Sequence, residues 1–168
     1  MMGILPFIAK DFCITIPQAG AFISAYALGV CAGAPFVAVI ARTWPLKRIL
    51  YMLCVIMAVS SLAMALCPVP ADGHGTGWQF WLMMLFRFCA GIPHGAYFGV
   101  GSIVADRLSK NRKSTLAVAT MTSGMTVANL VGIPLGTFLT SIVSWRLVFG
   151  FSCLWNVVTL VSIARWIP

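Results

Sequence analysis

Four long stretches of this chain carry no charged residue: Phe12 to Ala41, Ile49 to Ala71, Leu116 to Trp145 and Leu147 to Ala164. A fifth, Gly73 to Ala105, is interrupted only by Arg87 and contains His94. About 20 residues at ~1.5 Å of rise each cross a bilayer core. In lipid a single segment satisfies its own backbone only as a helix. Helices are therefore expected near 20–41, 49–67, 79–104, 115–139 and 146–166. One apolar run alone could be a buried soluble helix or a signal peptide; five in series could not. Residues 1–9 are apolar but span only half a bilayer, and Lys10 and Asp11 close them with no basic region ahead, which is not a signal-peptide pattern. They read either as an interfacial lead-in or as the outer end of a helix that begins upstream. The expected class is an all-α membrane protein with five complete transmembrane helices plus the end of a first.

Composition excludes the soluble alternatives. The chain is 61% hydrophobic and 8% charged, against about 45–50% and about 25% in soluble domains. A globule of 168 residues leaves too much surface in water to hide that excess. A soluble enzyme and a disordered tail are both poor fits. The net charge of +8 does not make a nucleic-acid surface, because the basic residues sit in short segments between membrane-length apolar runs. The expected partner is the lipid bilayer, and no nucleic acid.

Basic residues on connecting loops set orientation. One loop holds Arg42, Lys47 and Arg48; another holds Asp106, Arg107, Lys110, Arg112 and Lys113. The alternate segments, Pro68 to Gly77 and Thr140 to Ser144, contain no Lys or Arg. The basic loops are expected on the cytoplasmic side, with Arg165, and Asp72 and His74 on the other. Arg146 lies at an outer helix end, against the trend.

Small residues recur every four positions in three runs: Ala21, Ala25, Gly29 and Gly33; Gly91, Gly95 and Gly99; and Thr120, Gly124, Ala128, Gly132 and Gly136. Each run shares a helix face, and such faces let membrane helices approach closely. Two prolines follow glycine triplets, Gly33-Ala34-Pro35 and Gly132-Ile133-Pro134. Each removes a backbone donor, so a bend is expected. The two triplets in spans of opposite direction are either a faint inverted repeat or coincidence.

The six cysteines, Cys13, Cys31, Cys54, Cys67, Cys89 and Cys153, form no CxxC pair, and with His74 and His94 they give no metal-ligand spacing. They are expected to be small apolar packers; Cys13 and Cys67 could meet near the outer surface or remain free thiols. No glycine-rich loop with a lysine is present to cradle a nucleotide phosphate. No metal, cofactor or catalytic residue is expected.

Among side chains that are costly in lipid, Arg87 stands out. A charge at this depth requires a partner or a polar path unless its head snorkels to the interface. His94, seven residues on, falls on roughly the same side and can exchange a proton near neutral pH, or simply donate a structural hydrogen bond. Asn129 either lines a path or bonds to a neighbouring helix. Tyr26 and Tyr97 carry rings with polar tips, suited to an amphipathic ligand or to ordinary packing. No Asp or Glu lies inside any full span.

Several strings together resemble the N-terminal half of a major facilitator superfamily transporter, of the bacterial drug- and sugar-efflux antiporter branch (arabinose-efflux-permease-like). They are Met2-Gly3-Ile4-Leu5-Pro6; Ser24-Ala25-Tyr26-Ala27-Leu28-Gly29-Val30 with Gly33-Ala34-Pro35; Arg87-Phe88-Cys89-Ala90-Gly91 with His94-Gly95-Ala96-Tyr97-Phe98-Gly99; Gly124-Met125-Thr126-Val127-Ala128-Asn129 running into Gly132-Ile133-Pro134-Leu135-Gly136; and Trp145-Arg146 with Phe149. The resemblance implies part of an N-terminal six-helix bundle in a bacterial inner membrane, and proton-coupled secondary efflux of small molecules such as sugars or drugs. A non-transporting scaffold or assembly fragment is the alternative. Arg87, Gly91 and Gly95 resemble the fourth-helix motif, whose arginine is implicated in proton coupling. Gly124, Gly132, Pro134 and Gly136 resemble a variant of the fifth-helix antiporter motif. In the loop after the second helix, Ala38, Arg42 and Pro45 stand where the superfamily usually has glycine, aspartate and glycine, while Lys47 and Arg48 keep the basic charge. On the same resemblance, residues 1–9 are the outer end of the first helix. An acidic residue just upstream and a second, C-terminal six-helix half then lie outside these 168 residues, and the segment alone should not transport as a monomer.

Overall fold

The computed structural model describes residues 2–70, 77–108 and 114–166, and its described residues fold as six α-helices with no strand. A 3-10 turn, Met2–Ile4, leads into α1 (Leu5–Asp11). Then follow α2 (Ile16–Ile40), α3 (Leu46–Ala65), α4 (Trp78–Leu108), α5 (Ser114–Ile142) and α6 (Trp145–Trp166). The last five are each long and apolar enough to cross a membrane. Asp72, His74, Lys110, Arg112 and Lys113 lie outside the described residues.

The helix starts follow local chemistry more closely than hydropathy does. The second helix begins at Ile16, ahead of the expected residue 20, because Thr15 and Gln18 form a reciprocal capping box. The Thr15 hydroxyl accepts from the Gln18 N–H at 3.4 Å, and the Thr15 N–H donates to Gln18 Oε1 at 2.9 Å. Pro17 sits in the first turn, where its missing N–H removes nothing. Similarly, α3 starts directly after Pro45, so Lys47 and Arg48 stand on its first turn rather than in a loop. The first helix stops at Cys13, which has φ of 52°. Its N–H donates to the Lys10 carbonyl, and the Ile14 N–H reaches back to the Ala9 carbonyl at 3.0 Å. This is a helix C-cap in the left-handed conformation that usually calls for glycine.

Polar side chains in the apolar helices are satisfied by their own backbone. Thr120, Thr137, Thr140 and Ser152 each donate to the carbonyl four residues earlier, at 2.8–2.9 Å. The Asn156 amide does the same to the Ser152 carbonyl at 2.8 Å. Such bonds keep these donors satisfied in apolar surroundings, buried or exposed.

The core is divided along the membrane normal. At the far end, Ile8, Phe12, Phe22, Met64, Cys67, Phe80, Met83, Trp145 and Phe149 form one cluster. At the end carrying Arg42, Lys47, Arg48, Arg107 and Arg165, here called the basic end, Val37, Ile49, Leu50, Leu53, Cys54, Ala96, Val100 and Ile163 form the other. The chief pairings are α2 with α4, α3 with α6 and α3 with α4.

Two of the three small-residue runs meet each other in the α2–α4 contact. A methyl at Gly29 would collide with the Phe88 carbonyl oxygen, one at Gly33 with the backbone of Ile92, one at Gly91 with the Tyr26 carbonyl oxygen, and one at Gly95 with that of Val30. The third run does not behave this way. Gly124 and Gly132 have nothing within 4 Å of an added methyl, Gly136 has only Val148 at 3.7 Å, and Gly99 has open space. Among the described residues Gly99, Gly124 and Gly132 therefore make no close helix contact, and α5 lies on the outside of this bundle with its small-residue face exposed. A contact that α5 does make is at Thr137, against which the Gly3 backbone is seated.

Helices α2 and α5 continue through Pro35 and Pro134, both exposed. A third glycine–proline triplet, Gly91-Ile92-Pro93, occurs in α4, where Pro93 is fully buried. Three occurrences, one in a span parallel to α2, remove the reason for pairing the other two as an inverted repeat.

Candidate functional site

Helix α4 carries Arg87 nine residues after its first residue, about 13 Å along the axis. Arg87 is 6% exposed, so its head does not snorkel to the surface of this bundle. Its guanidinium carbon lies 4.8 Å from the centre of the Phe149 ring, close enough for a cation–π interaction. Phe149 comes from α6 and is itself buried in the far-end cluster. Arg87 also interacts electrostatically with Tyr26 of α2.

Tyr26 then links Arg87 to His94. The Tyr26 and His94 rings are 5.7 Å apart, and His94 meets Phe98 edge-on at 5.5 Å. The close approach of α2 and α4 through Gly29, Gly33, Gly91 and Gly95 is what sets Tyr26 beside these two α4 residues, because Tyr26 sits on the same stretch of α2 whose carbonyl rests on Gly91. Three of the five candidate polar residues thus form one row: Arg87, Tyr26, His94. Both Tyr26 and His94 are half-buried.

The other two are elsewhere. Tyr97 turns toward α3, where its side chain meets Cys54 inside the basic-end cluster. Asn129 is exposed on α5 and does not join the row.

Chemically the row combines a fixed cation with two groups that can donate or accept. A guanidinium stays charged at accessible pH. Its planar donor fork suits a carboxylate or another flat anion. An imidazole and a phenol beside it can relay a hydrogen bond.

A second constellation at the far end escaped the sequence reading. The Trp145 indole N–H donates to Asp11 Oδ2 at 2.6 Å, tying α6 to the end of α1. Next to it, Arg146 Nη2 donates to the Cys67 carbonyl at 2.9 Å, capping the end of α3. Trp145 is 2% exposed and packs on Phe12 and Phe149. Arg146 is accordingly committed to a helix end, which explains a positive charge on the side where loop charges are otherwise sparse. The Trp145-Arg146 dipeptide was visible, but its partners lie 134 and 79 residues away in sequence. All six cysteines are free, with Cys13 exposed and Cys67 buried, so these two do not pair. Arg42, Arg48, Asp106 and Arg107 are exposed at the basic end, and Lys47 is half-buried. Among the described residues no three His, Cys, Asp or Glu side chains converge as metal ligands.

Comparison with known proteins agrees with this architecture. The family model described as "Major Facilitator Superfamily" matches residues 1–168. The chain is similar to "Putative transporter AraJ" of Escherichia coli (strain K12), with 42% identity over 168 residues, 100% of this chain and 40% of the relative. It is similar to "Inner membrane transport protein YdhP" of the same strain, with 35% identity over 167 residues, 99% of this chain and 40% of the relative. A more distant similarity is to "Probable sugar efflux transporter" of Helicobacter pylori (strain ATCC 700392 / 26695), with 26% identity over 165 residues, 98% of this chain and 39% of the relative. The chain thus spans about 40% of the length of the curated relatives it matches. With a family model covering its whole length, the chain belongs to the Major Facilitator Superfamily, a family of membrane transporters rather than enzymes.

Proposed function

We propose that this chain is the N-terminal part of a proton-coupled antiporter that exports small molecules, such as sugars or drugs, across a bacterial inner membrane. The observation that carries the reading is the buried Arg87 in the middle of a spanning helix, in one row with Tyr26 and His94. A buried cation in a spanning segment is a functional feature by default, since insertion at the bilayer centre costs about 2.5–3.5 kcal/mol even on lenient scales. Relatives named as an inner membrane transport protein and a probable sugar efflux transporter support the localisation and the direction. In this reading the basic end faces the cytoplasm, as the loop charges require. The central substrate path forms between this bundle and a second six-helix half, and the exposed surface of α5, which carries Gly124, Asn129, Gly132 and Pro134, is available to it.

Arg87 does not carry the proton, because it does not titrate in the working range. It favours the deprotonated state of a carboxylate supplied by the upstream part of the first helix. His94 and Tyr26 complete the polar row.

The test uses the full-length protein in inverted membrane vesicles with an imposed pH gradient, normalised to folded protein. Arg87→Ala should lose gradient-driven transport by tenfold or more while still inserting, and Arg87→Lys should keep part of it because the charge remains. His94→Gln keeps hydrogen bonding without titration, and is expected to couple still. Undiminished gradient-driven transport by Arg87→Ala would defeat the coupling role and leave Arg87 as a packing residue on Phe149. Absence of transport by the wild type with every candidate solute would favour the scaffold alternative. Orientation is checked separately: a single cysteine at Thr43, in a background lacking the native six, should resist an impermeant thiol reagent added outside intact cells.

A further inference from the structure

At the basic end, α3 and α6 leave an open groove of about 490 Å³ between them, lined by Tyr51, Val157, Leu160, Val161, Ala164 and Arg165. The α6 residues follow one another at helical spacing along a single face, with Arg165 at the end and Val157 two turns deeper. Its wall is apolar through Val157, Leu160, Val161 and Ala164, and its mouth is polar and cationic. Tyr51 is 44% exposed there. Arg48, exposed one turn nearer the basic end on the same face of α3, holds its guanidinium 5.8 Å from the Trp44 ring centre. Trp166, 81% exposed, stands beside Arg165 at the end of α6. Aromatic rings at this level are the usual anchors of a membrane interface.

We propose that this groove holds one anionic phospholipid, its phosphate-bearing headgroup at Arg48, Tyr51 and Arg165 and an acyl chain along Val157, Leu160 and Val161. Charge complementarity selects the occupant. The mouth offers the Arg165 guanidinium and the Tyr51 phenol, with Arg48 one helical turn away on α3, and these groups recognise a phosphate by charge-assisted hydrogen bonds, while the wall offers only hydrocarbon contact. A free anion would use the mouth and leave the wall unmatched; a zwitterionic lipid would bring a cation to a cationic rim. The groove volume lies within the range of about 300–1,000 Å³ typical of small-molecule sites. The inference takes the α3–α6 side of the bundle to face lipid and does not rest on the transport reading.

The experiment uses the full-length protein in bilayers of phosphatidylcholine doped with phosphatidylglycerol that carries a photoactivatable group on its acyl chain. Adducts are mapped by peptide mass spectrometry. Labelling is expected to concentrate on 157–161 and 51–55, above the background at Leu147 and Phe151, which are exposed on the far half of α6. Unlabelled phosphatidylglycerol should compete, while phosphatidylcholine and inorganic phosphate should not. Arg165→Gln and Arg48→Gln should each reduce site labelling about fivefold at sub-saturating lipid, the weight of one basic residue near a charged lipid surface. Val161→Trp should block the wall with both charges kept. Groove labelling no higher than background, equal labelling by a phosphatidylcholine probe, or displacement by phosphate would each overturn the proposal. These arms are read on the wild-type protein, so the outcome does not depend on a variant folding.

Discussion

Gly33→Ala adds one methyl group at the tightest part of the α2–α4 contact. The new carbon would lie 2.6 Å from Ile92 Cα and 2.7 Å from its carbonyl carbon, and would collide with the carbonyl oxygen. All three atoms are backbone, so no side chain can swing aside. Regaining an ordinary 3.4 Å contact with the Cα alone requires α2 and α4 to part by at least about 0.8 Å, and the closer carbonyl oxygen requires more; a gap of 0.8 Å already forfeits roughly a quarter to a half of each dispersion well along the seam. Overpacking of this kind costs about 1–3 kcal/mol, and the gain in helix propensity on replacing glycine returns about 1 kcal/mol. The net loss should be about 0–2 kcal/mol. Gly150→Ala in α6 is the control: nothing lies within 4 Å of its added methyl, so propensity alone acts and the variant should be neutral or slightly more stable. Unfolding is followed in detergent micelles with a thiol-reactive dye reporting exposure of Cys54, which is 1% exposed in the fold. At about 2–4 °C per kcal/mol, Gly33→Ala should lower the midpoint by up to roughly 8 °C, and always place it below that of Gly150→Ala. Gly29→Ala and Gly91→Ala face the same seam, so their double variant should lose less than the sum of the two, because one separation relieves both clashes. Equal midpoints for Gly33→Ala and Gly150→Ala, or strict additivity across the seam, would refute the claim that these glycines set the helix separation.

Trp145→Phe keeps the ring in the far-end cluster but removes the indole N–H on Asp11. A lost hydrogen bond to a charged group should cost about 1.5–3 kcal/mol, read as a lower unfolding midpoint. Cys13→Gly relieves a non-glycine residue at φ of 52° and should raise the same midpoint by the equivalent of about 1 kcal/mol; a fall would mean that the Cys13 side chain contributes more than the turn does. Burial pushes the Cys67 thiol above its ordinary pKa, with the Arg146 charge opposing. A raised pKa means less thiolate at a given pH, so Cys67 should react with a maleimide more slowly than an ordinary thiol near pH 8, and the difference should narrow as pH rises. Arg146→Gln removes the cap on the Cys67 carbonyl, and is expected to speed that labelling as the end of α3 frays. Unchanged labelling would show that the cap does not hold this end.

How much of the site could be read beforehand depends on the range of each interaction. Arg87 was conspicuous because a charge inside an apolar run is costly wherever the run is placed, and its register with His94 follows from helix geometry alone. Tyr26 could be named but not assigned to them, since nothing local says which face of α2 meets α4. Asn129 and Tyr97 looked equivalent to it in sequence and are separated from it by packing: one is exposed on α5, the other is turned to Cys54.

The spans themselves were determined by the sequence, because burial in lipid is set by the composition of each segment and helical hydrogen bonds close within it. So was the presence of faces that allow close approach, since period four is a property of one helix. Which faces would be used was decided only in the tertiary structure. The runs in α2 and α4 interlock through Gly29, Gly33, Gly91 and Gly95, whereas Gly124 and Gly132 have the same spacing and, among the described residues, face open space. The Asp11–Trp145 and Arg146–Cys67 ties were likewise beyond the sequence: each is a single directional bond across 134 or 79 residues, and no periodicity within a helix encodes which other helix end it will meet.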